Sequence, residues 1–344
     1  IEIDPFTKGG AYIVGTKYKT GDYQPYIYKT EDYGKTWKLI VNGIGAEDFT
    51  RVLRADPKRK GLLYAGTEKG MYISFDDGEN WQSFQQNLPI VPITDLTIKD
   101  DNLIAATQGR SLWIIDDITP LHQLNNEVLK QDVVLYKPKD AYNMSGGGGR
   151  TSKTAGTNHP GGVAVNYFIK EMNEKDEVSL SFFEMDGTLI KTFSTKPDRD
   201  KKEGKLSTKE GNNILYWNMM YDGAERVDGM ILWWASLAGP MALPGDYKVE
   251  LAVNDKKISQ PFSILRNPMS EATEADMKAQ FDFINDINAK MTEIHKALKN
   301  VKKVRSQVVQ LKKSIKDKEK YKDIIDFADD LVKEMTVVEE TLYQ

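Results

Sequence analysis

Two segments, TEDYGKTW (residues 30–37) and SFDDGENW (residues 74–81), share one pattern: a hydroxyl residue, Asp two positions later, Gly four later and Trp seven later. Their aspartates, Asp32 and Asp76, lie 44 residues apart, a period that fits four short strands in one propeller blade. Matching strand patterns precede each box, AYIVGT at 11–16 and LLYAGT at 62–67. A third copy follows as LIAAT (103–107), Gly109 and LWII (112–115), and a 41-residue shift lays Met71 and Tyr72 on Leu112 and Trp113. Its box has decayed to IDDITP, without Gly or Trp. Residues 1–125 are therefore expected to form about three blades of a partial β-propeller. Closure needs at least about four, so the chain is expected to be cut from a longer propeller, with the remaining blades of the same parent protein as partners.

The box has a physical rationale. Hydroxyl and carboxylate side chains at Thr30 and Asp32, and at Ser74 and Asp76, can accept hydrogen bonds from backbone amides a few residues on and close a turn. Gly34 and Gly78 supply the positive φ such a turn needs. Trp37 and Trp81 open the next strand and are both expected to bury a large apolar surface between neighbouring sheets. Turns that recur around a ring point their acids to separate places, so Asp32 and Asp76 are expected to be structural and not catalytic.

Beyond residue 125 the texture changes. Residues 126–162, with SGGGGRTSKTAGTNHPGG, read as a Gly-rich linker that cannot bury a core. Residues 163–267 hold about seven strand patterns, among them VAVNYFI, EVSLSFFE, NNILYWNM, MILWWAS and DYKVELAV, and Asp186-Gly187 marks a tight hairpin. Such spacing over roughly 100 residues argues an immunoglobulin- or fibronectin-like β-sandwich. Residues 268–344 read as a long antiparallel helical hairpin. Thr273 and Asp276 resemble a capping box, and apolar residues recur every three or four positions from Met277 to Ile315 and again from Tyr321 to Leu342. The expected fold class is thus mainly β and multidomain.

Composition narrows the chemistry. Hydrophobic residues make up 40% and charged residues 28%, with a net charge of −4, which gives no reason to expect a nucleic-acid partner. There is no cysteine, so disulfides, thiolate metal sites and cysteine nucleophiles are excluded. His122, His159 and His295 are the only histidines and stand far apart in sequence, against a zinc site or a triad. No apolar run approaches a membrane span. The start at Ile1 carries no signal-peptide pattern and reads as internal.

Several residues invite functional readings. Glycoside hydrolysis needs two convergent carboxylates, and Asp32, Asp76, Asp77, Asp116 and Asp117 do not form such a set by position. Arg51, Arg54, Arg59 and Arg110 make no signature for a sialidase's substrate carboxylate. Asp116 and Asp117 could hold a calcium ion at a blade turn, although paired aspartates commonly cap turns; no other cofactor is expected. Gly146 to Gly149 lack the Gly-Lys-Ser/Thr that a phosphate loop requires. Trp233 and Trp234, with Trp217 and Tyr221, could make an aromatic platform or a domain interface, the two tryptophans pointing to opposite faces of a strand. The lysines of residues 296–322 fall between the apolar positions, as on a solvated helix.

The two boxes resemble the Asp boxes of BNR-repeat propellers, a group that includes sialidases, xyloglucanases and the sortilin luminal domain. The order of parts is similar to that of large exported bacterial proteins described as sortilin-like or BNR-repeat glycosyl hydrolases. These carry blades, a terminal blade like GRSLWIIDDITPLHQL (109–124), a Gly-rich connector, a sandwich with a motif like LPGDYKVEL (243–251) and a helix opening like ATEADMKAQFD. The resemblance implies export to the periplasm or surface of a Gram-negative bacterium of the Bacteroidetes type. The expected function is binding of a protein, peptide or glycan, with no complete catalytic site in these residues. The alternative is a glycoside hydrolase with acids supplied largely by further blades.

Overall fold

The computed structural model describes residues 1–342 except 145, 148–155, 157, 199–201, 233 and 235. The chain divides into two compact units, Ile1–Gln131 and Asp132–Gln344.

In the first unit, β1 (Glu2–Ile3), β2 (Ala11–Gly15), β3 (Tyr26–Thr30) and β4 (Lys38–Leu39) form an antiparallel meander. A second meander follows with β5 (Thr50–Ala55), β6 (Leu63–Thr67), β7 (Met71–Ser74) and β8 (Gln82–Ser83). The third has three strands, β9 (Ile93–Lys99), β10 (Asn102–Thr107) and β11 (Leu112–Ile115). Where the decayed box stands, Pro120 lies in the first turn of a short helix, α1 (Thr119–Gln123), a position at which proline's missing N–H is harmless.

Successive sheets pack face to face, in the propeller-like manner the repeat predicts. Tyr12, Ile27, Ile40, Leu53, Ala65 and Trp81 fill the layer between the first and second sheets. Val52, Tyr64, Ile73, Ile93, Leu96 and Leu103 fill that between the second and third. The central strand β6 is buried along its whole length. A Cβ on its Gly66 would come within 2.7 Å of side-chain atoms of both Val52 and Ile93, so glycine is what lets the third sheet approach. The outer faces differ from these layers. On β11, Trp113 and Ile115 turn to the core while Leu112 and Ile114 stand exposed, and on the first sheet Ile3, Trp37 and Leu39 are exposed.

In the second unit a three-stranded sheet joins β12 (Val133–Leu135), β14 (Val163–Ile169) and β18 (Gly211–Trp217). A six-stranded sheet runs β13 (Ala141–Tyr142), β20 (Lys256–Leu265), β19 (Gly245–Val253), β15 (Val178–Glu184), β16 (Leu189–Ser194) and β17 (Gly204–Lys205) in spatial order. The β13–β20 and β16–β17 pairs are parallel. The two sheets share one core, in which Trp217 meets Phe182 and Phe262. The Asp186-Gly187 turn joins β15 to β16, with Gly187 at φ 95°.

Two expectations change here. The span 126–162 is not wholly a connector: Val133, Val134 and Leu135 are buried and pair with Ile169, Phe168 and Tyr167. MILWWAS is not a strand among its described residues. The segment around it gives its backbone polar groups to a helix instead. Glu225 N donates to Thr292 Oγ1 at 3.1 Å, and Ala238 O accepts from Asn288 Nδ2 at 2.9 Å.

Those two side chains belong to α2 (Glu274–Ser314), which is followed by α3 (Lys322–Leu342). Thr273 and Asp276 close a reciprocal capping box on α2: Asp276 N donates to Thr273 Oγ1 at 3.1 Å and Thr273 N to Asp276 Oδ2 at 2.9 Å. The helices pack antiparallel, with Lys302 paired to Glu339 at 3.7 Å and Lys312 to Asp329.

Candidate functional site

The two box turns superimpose bond for bond. In the first, Gly34 N donates to Thr30 Oγ1 at 2.9 Å, Thr36 N to Asp32 Oδ1 at 2.9 Å and Thr36 Oγ1 to Asp32 Oδ2 at 2.7 Å. In the second, Gly78 N donates to Ser74 Oγ at 2.9 Å, Asn80 N to Asp76 Oδ1 at 2.8 Å and Asn80 Nδ2 to Asp76 Oδ2 at 2.7 Å. Gly34 and Gly78 have φ of 81° and 85°. Both carboxylates thus spend their lone pairs inside their own turns. The Thr36 side chain and amide hold Asp32 below the usual carboxylate range. For Asp76, burial works upward but is outweighed by the Asn80 and Ser74 donors, and the net shift is downward. An acid held ionised in this way is the opposite of the proton donor that glycoside cleavage requires.

A depressed folded-state pKa contributes stability that is present above the unfolded value of about 3.9 and is lost as pH falls through the folded one. Asp76→Asn is accordingly expected to lower the urea midpoint clearly at pH 7 and much less near pH 2. Equal losses at the two pH values would overturn this assignment.

The box tryptophans part company. Trp81 is 5% exposed; its Nε1 donates to Ile40 O at 2.9 Å and its backbone N to Asn42 O at 2.8 Å, both in the segment that follows β4 of the preceding sheet. Trp37 is 40% exposed, and its Nε1 donates only to Gly34 O at 3.0 Å. Its expected burial is not found, because among the described residues no sheet covers that face of the first meander. The variable box residue Asp77 adds an inter-sheet tie, accepting from Tyr12 Oη at 2.5 Å and Lys29 Nζ at 2.7 Å. Burial and this carboxylate push the Tyr12 hydroxyl far above its ordinary pKa.

Strand alternation places the β2–β3, β4–β5 and β6–β7 connections at the end of the sheets opposite the boxes, and an aromatic cluster forms there. The Tyr18 ring stacks on Phe49 with centroids 5.0 Å apart, and Tyr23, 52% exposed, lies 6.2 Å from the same ring. Arg51 sits over Phe49 at 5.1 Å and Tyr18 at 5.8 Å, and its Nη2 pairs with Glu68 at 2.5 Å. Beside them Lys17 lies 4.4 Å over the Tyr26 ring, while Tyr26 Oη donates to Asp22 Oδ2 at 2.7 Å and holds that carboxyl below its usual range. Asp48 accepts from Tyr72 Oη at 2.6 Å and pairs with Lys69 at 3.0 Å. Flat rings edged by fixed charges can stack on an apolar face and bond its polar rim. The only signal in the sequence is the tyrosine-dense loop KYKTGDYQPY (17–26); Phe49 joins it from the β4–β5 connection, Arg51 from the start of β5 and Glu68 from the β6–β7 connection.

The remaining candidates are dispersed. Asp117 Oδ1 accepts from Thr119 N at 2.9 Å at the start of α1, and no cluster of three or more His, Cys, Asp or Glu suited to a metal occurs among the described residues. Trp233 lies outside the described residues, as do Gly148 and Gly149. Trp234 is fully exposed at φ 59°, with no ring contact to Trp217 or Tyr221. Tyr221 donates to Glu184 Oε1 at 2.6 Å and meets Phe281 of α2 edge-on at 5.0 Å, and burial raises its pKa strongly. Burial likewise raises the neighbouring Tyr247 to about 12.

No protein-family model matches the sequence. A 68-residue stretch, 19% of the chain, is 40% identical to vacuolar protein sorting/targeting protein 10 of Pyrenophora teres f. teres and 38% identical to that of Pyrenophora tritici-repentis. The match spans only 4% of the length of those curated relatives. Among solved structures, the GH74 xyloglucanase from Xanthomonas campestris aligns with a TM-score of 0.27 and 14% identity, over 48% of this chain and 28% of that one. YCF48 bound to D1 peptide aligns with a TM-score of 0.25 and 16% identity, over 54% and 51%.

Proposed function

We propose that the chain is part of an exported bacterial BNR-type, sortilin-like propeller protein that binds a peptide, protein or glycan at the loop end of its sheets. The observation that carries this reading is the half-exposed Tyr18 and Tyr23 pair on Phe49, bracketed by the Arg51–Glu68 ion pair. The box aspartates, by contrast, are consumed in their own turns. The stretch shared with a protein named for vacuolar sorting and targeting supports a binding role. The exposed Trp37 and Leu39 face and the Leu112 and Ile114 face suit further blades of the same parent protein, which would complete the ring. The two-sheet part of the second unit serves as an immunoglobulin-like packing module, and the protein works in the periplasm or on the surface of a Gram-negative cell.

Binding of the full chain to arrays of extended peptides and of oligosaccharides tests this. A hit is expected to weaken at least tenfold, ~1.4 kcal/mol, in Tyr23→Ala, whose exposed ring makes that change harmless to folding. Hits untouched by both Tyr23→Ala and Arg51→Ala would sink the assignment. Reducing-sugar release that vanished on substitution of an acid would favour the hydrolase reading instead.

A further inference from the structure

The helical hairpin carries apolar surface that the chain does not cover. On α3, Ile324, Phe327, Val338 and Leu342 are exposed, Phe327 by 71%, and they keep to one stripe at steps of three, eleven and four residues. On α2, Val304 and Leu311 stand exposed seven residues apart, Leu311 by 58%. The Lys302–Glu339 and Lys312–Asp329 pairs set the antiparallel register. That register brings Val304 level with Val337, next to Val338, and Leu311 level with Asp330, next to Leu331. Relative to the inward residues (Val301 and Val308 on α2, Ala328 and Met335 on α3), both outward stripes turn to the same side of the hairpin. One face of the pair is therefore a continuous open apolar strip.

We infer that this face is a self-association surface, on which a second copy of the chain lays its own hairpin to form a four-helix bundle. Charge chooses the occupant. Residues 296–313 hold seven lysines and arginines and no acid, whereas α3 holds seven acids against two lysines. Only part of this charge is used internally. Lys296 and Lys303 on α2 and Asp323, Asp326 and Glu334 on α3 make no ion pair among the described residues. A two-fold axis parallel to the helices sets each α2 over the partner's α3, matching the surplus of one sign to the surplus of the other. The other two-fold arrangement, α2 over α2, opposes like charges. A face about 30 Å long and 20 Å wide buries roughly 1,200 Å² in total, at the lower edge of specific interfaces. The dimer is thus expected to form in the micromolar range and to weaken with salt.

Sedimentation equilibrium of the full chain from low to high micromolar concentration, at low and high salt, tests the proposal. A monomer–dimer equilibrium is expected, weakened at least tenfold by Phe327→Glu and several-fold by Lys303→Glu, with helicity by circular dichroism unchanged. A combined Lys303→Glu and Glu334→Lys variant is expected to regain part of the affinity. A chain that stays monomeric throughout overturns the proposal and leaves the face to a helix of another protein. A dimer indifferent to both Phe327→Glu and Lys303→Glu overturns it by placing the contact elsewhere.

Discussion

Trp217→Ala is expected to cost the second unit ~3–5 kcal/mol, the range for deleting a buried large aromatic. At roughly 2–4 °C for each kcal/mol in a unit of this size, the melting temperature should fall by about 6–20 °C. The ring stands at the end of β18 and is the largest fully buried side chain. It stacks on Phe182 at 4.3 Å and meets Phe262 and Tyr247 edge-on at 6.2 and 6.4 Å, three residues of the opposite sheet. Removing it would open a void between the sheets where neither backbone can collapse, because both are pinned by their ladders. Trp217→Phe keeps the stack on Phe182 and is expected to lose less than half as much. Calorimetry with near-ultraviolet circular dichroism decides. A shift under about 2 °C for the alanine variant would mean that the two sheets do not depend on one another through this ring.

How much of this could be read from the chain depends on how far apart the cooperating residues are. The box turns were legible because every partner of Asp32 and Asp76 lies within four residues, so hydroxyl, carboxylate and glycine spacing carries the whole geometry. The capped start of α2 was legible for the same reason, with Thr273 and Asp276 three residues apart. The aromatic cluster was not, since Tyr18, Phe49 and Glu68 come from three loops and meet only when successive sheets pack. MILWWAS has the apolar content of a strand but no alternation, and its neighbours Glu225 and Ala238 give their hydrogen bonds to α2 residues 67 and 50 positions further on. The short strands β12 and β13 are too brief to stand out beside the glycine-rich stretch that follows them, and tertiary pairing alone makes them strands.

The sharpest test of the propeller-like stack lies in the two box tryptophans, which occupy the same position of the same motif. Trp81→Ala is expected to lose ~3–5 kcal/mol. Its ring is buried in the layer between the first two sheets, and its removal also strips the carbonyl of Ile40 of an indole donor. Trp37→Ala is expected to lose about 1 kcal/mol or less, because its exposed ring leaves no cavity and its one hydrogen bond is local. The contrast isolates packing from turn chemistry, since the backbone amides of Gly34 and Gly78 and both carboxylates keep their bonds in either variant. Paired urea titrations should show a midpoint drop at least threefold larger for Trp81→Ala. Equal drops would mean that Trp37 is covered in solution as Trp81 is, by another sheet or another molecule on the face it shares with Leu39. Two small drops would deny that the sheets stabilise one another at all.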